Sequence, residues 1–306
     1  MSSAGPGTSR WAFVALLTMT AIWGSTFFLI KDIVTRIPVP DLLALRFAIA
    51  TIALTTMAAG RLKLSYPIVA RGLALGLLYG TAQLLQTVGL AHTTASVSGF
   101  LTGLYVVATP MLAASILRTT ISRNAWLASG LATVGLAVLS LRGFSVGYGE
   151  LVTCVAAMIY AGHIVALGRL SRPGEALSLS VVQLSVITAV CAVGAIATGA
   201  SGPLIQLPAT AQDWLIVGYL AVVAGAVTMV LQTWAQARVE PSRAAVIMAV
   251  EPVWAAAFAV ALGGETITVR MIIGGLAIVA AMYLVERSPR RSRVRSSDHG
   301  LDARRS

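Results

Sequence analysis

The chain has 306 residues, of which 57% are hydrophobic and 11% are charged, and its formal net charge is +11. Soluble domains carry about 25% charged residues, so this composition excludes an ordinary soluble protein and predicts a multi-span membrane protein. Much of the positive charge lies in residues 287–306, after the last apolar segment. A basic cytoplasmic tail next to anionic lipid explains this charge better than nucleic-acid binding does.

Ten apolar segments can be counted along the chain. A helix of about 20 residues crosses the ~30 Å hydrocarbon layer of a bilayer, and most of the segments are close to this length. The sequence therefore predicts an all-α integral membrane protein with ten transmembrane helices. We place the segments at 11–30, 42–59, 72–90, 95–117, 125–141, 148–168, 177–199, 213–235, 243–262 and 268–286.

The distribution of Lys and Arg predicts the orientation of these helices, because cytoplasmic connections are enriched in both residues. With the N-terminus in the cytoplasm, 17 Lys and Arg residues fall inside and four fall outside, while Arg46 lies within the second segment. We therefore expect a multi-pass protein of the cell membrane, plasma or inner, with residues 1–10 and 287–306 both in the cytoplasm. The short connections leave no room for a soluble catalytic domain.

The first four segments carry polar and aromatic side chains at membrane depth, where polar groups are costly and point to function. Arg46 lies about one turn into the second segment, so it either binds a substrate carboxylate through its planar guanidinium or extends to the outer headgroups. Glycines at four-residue spacing, Gly72, Gly76 and Gly80, predict either a tight helix contact or the thin wall of a cavity. The other candidates for a cavity lining, each also compatible with core packing or helix-to-helix bonding, are Trp23, Gln83, Gln86 and Tyr105.

The sixth to ninth segments carry a second set of candidates. His163 lies a turn beyond Tyr160 and fits either a proton relay or a packed, hydrogen-bonded histidine. Glu251 lies near the middle of the ninth segment, where a carboxylate costs about 2.5–3.5 kcal/mol. It fits a substrate or proton site, or a neutral acid at a packing kink. The prolines Pro110 and Pro252 predict helix kinks. The remaining candidates for the cavity lining are Tyr160, Gln183, Gln232 and Trp254.

The sequence contains no pattern for a metal or a cofactor. Cys154 and Cys191 lie inside apolar segments, so we expect no structural disulfide. A Walker A loop, a His-Glu-x-x-His pair and a metal-spaced Cys/His cluster are all missing from the sequence. We therefore predict no metal and no cofactor, and we expect energy from an ion gradient, from exchange or from downhill movement instead of from ATP.

The two halves of the chain resemble each other. At an offset of 137 residues, Trp23 aligns with Tyr160 and Arg46 with Gln183. At an offset of 146, Leu85-Gln86-Thr87 matches Leu231-Gln232-Thr233, and at 142, Thr109-Pro110 aligns with Glu251-Pro252. The halves, 11–141 and 148–286, each hold five predicted helices. Because five is odd, the second half enters the membrane inverted relative to the first, which is a recurrent architecture of secondary transporters.

Several short motifs resemble the EamA-type transporters of the drug/metabolite transporter superfamily. They are Trp23-Gly24-Ser25-Thr26, Leu45-Arg46-Phe47, the Pro110 segment, Glu251-Pro252 and Gly263-Gly264-Glu265. The resemblance covers roughly residues 11–286 and implies a membrane carrier of small metabolites, often an exporter of amino acids or related solutes. The first half departs from the pattern of the second, because it has Thr109 in place of Glu251 and Arg123 in place of Glu265.

Together these features predict a secondary transporter, not an enzyme, which exports small metabolites such as amino acids or related amphiphilic solutes by alternating access. Its partners would be a small-molecule substrate, bound near the midplane, and the lipid bilayer, and a homodimer is compatible with this interpretation. One alternative is an intramembrane enzyme, which would need Ser25 or Ser98 to pair with His163. The other alternative is a passive channel.

Overall fold

The computed structural model describes residues 6–93, 95–117, 121–140, 147–198, 205–262 and 266–286, and within these residues the secondary structure is helical throughout. The first half holds α1 (Pro6–Ile33), α2 (Val39–Met57), α3 (Tyr66–His92), α4 (Ala95–Gly103), α5 (Tyr105–Leu117) and α6 (Arg123–Ser140). The second half holds α7 (Tyr148–Leu170), α8 (Ala176–Thr198), α9 (Ala211–Ala221), a π-helical turn (Val222–Val227), α10 (Thr228–Gln236), α11 (Pro241–Met248), α12 (Glu251–Leu262) and α13 (Val269–Glu286).

These helices form ten helical stretches in the described part of the chain, and each apolar segment expected from the sequence coincides with one of them. Seven stretches are long and apolar enough to cross a membrane: Val39–Met57, Tyr66–His92, Val97–Ile116, Tyr148–Leu170, Ala176–Ala197, Ala211–Gln236 and Pro241–Leu262. The prediction of an all-α, multi-pass membrane protein is therefore confirmed. The helices α6 and α13, of 18 residues each, lie near the lower length limit for a span, about 17 residues.

Three of the ten stretches are interrupted. The fourth breaks at Leu104 between α4 and α5, the ninth breaks between α11 and α12, and the eighth contains the π-helical turn. The sequence predicted kinks at the two prolines, and the breaks precede both of them. Pro252 is the second residue of α12, and the residue four positions before it, Met248, ends α11, as expected from the clash of a proline ring with that carbonyl. Pro110 lies inside α5, which continues without interruption to Leu117.

The helices α2 and α8 pack against each other. Their shared core contains Phe47 and Ala50 from α2 with Leu184 and Ile187 from α8. Beside this core, α3 contacts α8 through its glycines. A Cβ atom added at Gly72 would lie 2.5 Å from Val182 Cγ1. Of the two roles that the sequence allowed for these glycines, a tight helix contact or the wall of a cavity, the structure shows the tight contact.

The two ends of the bundle carry ion pairs. At one end, where α1 and α3 finish, Arg36 binds Asp32 (Nη2 to Oδ2, 2.6 Å) and Asp213 (Nη2 to Oδ1, 2.8 Å). We call these three residues the clasp, and we call this end the outer end, following the orientation predicted from the positive charges. Hydrogen bonds to Asp32 and Asp213 raise the pKa of Arg36, so it stays charged at ordinary pH. At the inner end, Arg71 Nη1 lies 2.6 Å from Glu175 Oε2.

Parts of the sequence predictions fall outside the described residues. These are the basic tail at 287–306 and the Gly263-Gly264-Glu265 motif. At the other end of the chain, α1 begins at Pro6, five residues before the expected start of the first segment at residue 11.

Candidate substrate cavity

A cavity lies between the helices at mid-depth and extends toward the outer end. It leaves about 70 Å³ for the centres of water molecules, whereas a single water needs about 10–15 Å³ on this measure. Eight of the predicted site residues line it: Trp23, Arg46, Gln83, Gln86, Tyr105, Tyr160, Gln232 and Glu251. The sequence thus indicated a set of side chains that the fold brings to one place.

The cavity also has a lining that the sequence analysis missed. The added residues are Thr26, Phe27, Ile30, Tyr79, Thr87, Leu90, Thr102, Ile164 and Met248. On α1, Thr26, Phe27 and Ile30 follow Trp23 at spacings of three, four and seven, which places all four on one helix face. This periodicity around Trp23 was the signal that could have found them. Because Ile30 and Leu90 lie near the ends of α1 and α3, the lining reaches into the outer half of the bundle.

Glu251 occupies the break in the ninth stretch. It is the first residue of α12, where the positive end of the helix dipole favours a carboxylate. Its side chain lines the cavity. None of the hydrogen bonds or ion pairs found among the described residues involves it. A carboxylate at the N-terminus of a half-helix is therefore open to a solute in the cavity.

Arg46 is 4% exposed and contacts the eighth stretch. Its Nε donates to the carbonyl of Leu220 at 2.9 Å, and its Nη2 donates to the carbonyl of Ala224 at 3.3 Å. The second carbonyl belongs to the π-helical turn, a feature often found at functional sites. Arg46 therefore does not extend to the outer headgroups, one of the two roles that the sequence allowed. It shares the cavity with Glu251, but no ion pair joins the two side chains.

Trp23 fixes α1 against the same turn. Its Nε1 donates to Thr228 Oγ1 at 3.1 Å and approaches the carbonyl of Ala224 at 3.3 Å. Two residues further along α1, the hydroxyls of Ser25 and Tyr219 lie 2.6 Å apart. The indole is thus a fixed wall of the cavity.

The opposite wall of the cavity is formed by uncharged polar side chains. The Tyr160 hydroxyl lies 2.9 Å from Gln86 Oε1 and 3.1 Å from Gln83 Oε1, and its single proton is shared between these two acceptors. Gln86 Nε2 in turn donates to Thr102 Oγ1 at 3.2 Å. These contacts join α3, α4 and α7, so the polar wall also links the two halves of the chain.

Three further predicted residues, namely Gln183, His163 and Trp254, do not line the cavity. Gln183 accepts a hydrogen bond from His163 Nε2 at 3.1 Å, and both side chains are fully buried. Trp254 is 37% exposed, and its Cβ lies against Gly24, where an added Cβ would come within 2.6 Å. This backbone contact between α1 and α12 places Trp254 on the outer surface of the bundle.

The structure does not form the nucleophile–base pair that an intramembrane enzyme would need. Ser25 Oγ bonds to the Ile22 carbonyl and the Tyr219 hydroxyl, whereas His163 Nε2 bonds to Gln183. The Ser98 hydroxyl is buried with no partner among the described residues. In the same part of the chain, no group of three or more His, Cys, Asp or Glu side chains could hold a metal ion.

A polar cavity enclosed by interrupted membrane-spanning helices is typical of the membrane transporters. The model of the EamA-like transporter family matches residues 10–141 and again residues 147–287. The chain belongs to this family, as the motifs of the sequence indicated.

Two further comparisons agree with this assignment. The chain is 28% identical over 277 residues to an uncharacterized transporter of Archaeoglobus fulgidus, and the alignment covers 90% of this chain and 85% of that protein. A solved crystal structure with 19% sequence identity has a TM-score of 0.74, with 89% of this chain and 95% of that chain covered. This likeness shows a shared fold.

Proposed function

We propose that this protein is a secondary transporter that exports small amphiphilic solutes such as amino acids by alternating access. The observation that carries the proposal is that two ionisable side chains, Glu251 and Arg46, line one cavity and form no ion pair with each other. A zwitterionic solute can place its ammonium group near Glu251 and its carboxylate near the part of the Arg46 guanidinium that Leu220 and Ala224 leave free. Aromatic walls at Trp23 and Tyr105 suit the apolar part of such a solute.

The architecture that we propose is ten transmembrane helices in two inverted five-helix repeats. The two separate family matches, 10–141 and 147–287, support a repeat. The contact between Thr51 on α2 and Thr188 on α8 supports it as well, because these residues are 137 positions apart, which is the offset that aligns the two halves. The inversion follows from the odd number of helices in each half, and the proposed site lies between the halves.

The proposed location is the cell membrane, with both termini in the cytoplasm. The excess of Lys and Arg on one set of connections supports this orientation. In that orientation the cavity lies in the outer half of the bundle, which supports our assignment of the described conformation as the outward-facing one. The proton-coupling role predicted for Glu251 remains part of this proposal, since its carboxylate reaches the cavity.

The first experiment is a search for the solute. Purified protein is screened for thermal stabilisation by amino acids, nucleosides and cationic drugs, since a ligand that binds only the folded state raises the unfolding temperature. The stabilising solute is then used for transport in reconstituted vesicles. An initial rate that saturates with concentration supports a carrier, and a rate that rises linearly with concentration favours a channel.

The second experiment replaces Glu251 by Gln and measures transport and membrane insertion. We expect transport of the identified solute to fall at least tenfold while insertion is unchanged, because the substitution removes the charge and keeps the shape. Glu240→Gln, at an exposed position before α11, is the matched control and should transport normally. Transport by Glu251→Gln at the rate of the parent protein would remove Glu251 from the mechanism.

A further inference from the structure

We infer that a buried polar cluster below the cavity is the closed inner half of the transport path. We call Ser180, His163, Gln183 and Thr233 the inner cluster. The inference rests on the proposed alternating access. It concerns the second state of the transporter, which differs from the described conformation. In that state, open to the cytoplasm, the inner cluster would line a water-filled passage.

The inner cluster lies directly below the cavity. His163 is on α7, one turn nearer the inner end than Tyr160, and Thr233 follows Gln232 on α10. Both Tyr160 and Gln232 line the cavity. The cluster joins three helices, since Gln183 Nε2 donates to Thr233 Oγ1 at 3.3 Å and Ser180 Oγ donates to the same oxygen at 3.2 Å.

The internal repeat relates the inner cluster to the residues that line the cavity. At the offset of 137, His163 corresponds to Thr26 and Gln183 to Arg46, and at the offset of 146, Thr233 corresponds to Thr87. The three counterparts Thr26, Arg46 and Thr87 all line the cavity on the outer side. In alternating access by inverted repeats, each repeat adopts the conformation that the other had. If certain residues of one repeat face the outside in one state, their counterparts in the other repeat face the cytoplasm in the other state. The inner cluster therefore occupies the position that becomes hydrated.

The chemistry of the closed inner half agrees with this assignment. His163 and Gln183 are 0% exposed, and polar groups buried at this depth are costly without full hydrogen bonding. His163 Nδ1 has no partner among the described residues, and neither does Gln236 Oε1, which lies one turn nearer the inner end of α10 than Gln232. A cluster that served only stability would satisfy these atoms or replace them with apolar groups. In the state that is open to the cytoplasm, water molecules would hydrogen-bond to these unpaired acceptors.

The test measures from which side introduced thiols react with a membrane-impermeant maleimide. The two native cysteines, Cys154 and Cys191, are first replaced by Ala. Gln183→Cys and Thr233→Cys then report on the inner cluster, and Thr26→Cys reports on the outer cavity. Leu167→Cys is the control for burial, because Leu167 is a fully buried residue of α7 that packs in a separate core cluster with Ile68, Leu75 and Leu179. Right-side-out and inside-out vesicles present the two faces separately.

We expect Gln183→Cys and Thr233→Cys to react only from the cytoplasmic side, at least tenfold faster than Leu167→Cys, and Thr26→Cys to react only from outside. Modification of Thr26→Cys from outside should also suppress the cytoplasmic reaction of Thr233→Cys in the double variant. Ser180→Cys, which exchanges only oxygen for sulfur, repeats the measurement if the other two variants fail to insert.

Two results would contradict the inference, and they can be told apart. Reaction of Thr26→Cys from outside with no cytoplasmic reaction at Gln183, Thr233 or Ser180 overturns the inner path and leaves the proposed function standing. Reaction of outer and inner thiols from both sides at once indicates a continuous pore, and it overturns alternating access together with the inference.

Discussion

The hydroxyls of Thr51 and Thr188 lie 3.1 Å apart, and the two residues are 137 positions apart in the chain. The same separation relates Phe47 to Leu184 in the core that surrounds them. A contact between equivalent residues of two similar units is what a two-fold axis produces, because each unit then presents the same patch to the other. In the proposed inverted-repeat architecture, α2 and α8 therefore lie next to the axis that relates the two halves.

Substitution of Gly76 tests the packing of α3 against α8. A Cβ atom at this position would lie 2.6 Å from Val186 Cβ and 2.9 Å from the Gln183 carbonyl oxygen, so the backbone must shift. We expect Gly76→Ala to destabilise the protein by about 1–3 kcal/mol, as overpacked cores do. The measurement is the midpoint of thermal unfolding in detergent. Gly218→Ala on α9 is the matched control, because its Cβ meets no atom within 4 Å. Equal midpoints for the two variants would contradict the prediction.

Arg46 tests the contact between α2 and the π-helical turn. The guanidinium holds the carbonyls of Leu220 and Ala224 with two different nitrogens, which a single lysine ammonium cannot reproduce. Hydrogen bonds to charged groups contribute about 1.5–3 kcal/mol, so Arg46→Lys should lower the transport rate of the identified solute about tenfold or more. Arg61→Lys, in an exposed connection, should leave it unchanged. A parental rate for Arg46→Lys would show that charge alone suffices.

Tyr160 tests the polar wall of the cavity. Tyr160→Phe removes the hydroxyl that donates to Gln83 and Gln86 and keeps the ring. We expect the solute concentration at half-maximal rate to rise several-fold, because the freed glutamine oxygens no longer hold their positions. A neutral hydrogen bond contributes about 0.5–1.5 kcal/mol. Tyr66→Phe, at an exposed start of α3, is the control. An unchanged concentration dependence would assign Tyr160 to packing alone.

The clasp at the outer end should weaken as the salt concentration rises. Asp213→Asn removes the carboxylate that Arg36 binds at 2.8 Å. The arginine is 42% exposed although the aspartate is only 5% exposed, and surface ion pairs contribute about 0–1 kcal/mol. We expect a small loss of thermal stability that shrinks further in 1 M salt, where charges are screened over about 3 Å. Asp32→Asn, with a more exposed carboxylate on the same arginine, is the comparison. A loss that persists undiminished in high salt would indicate that Asp213 acts by capping α9 with Thr210.

The sequence alone determined the class of fold and eight of the seventeen residues that line the candidate site. Long apolar segments must be membrane helices, and a side chain such as Glu251 or Gln232 stands out because lipid penalises polar groups. Hydroxyl residues gave no such signal. Thr26, Thr87 and Thr102 line the cavity, but a threonine in a helix commonly bonds to its own backbone, as Thr87 does to the Gln83 carbonyl, so its type does not reveal which way it faces.

The tertiary structure decided which polar groups meet. Arg46 bonds to backbone carbonyls of the eighth stretch and not to Glu251, because α9 and the π-helical turn after it present one carbonyl each to the guanidinium. Gln183 lies below the cavity with His163. Trp254 lies outside it because Gly24 brings α1 against its Cβ. Such contacts depend on the rotation of each helix and on the exact site of each break. Both are fixed by packing between distant segments, which local hydrophobic patterns do not contain.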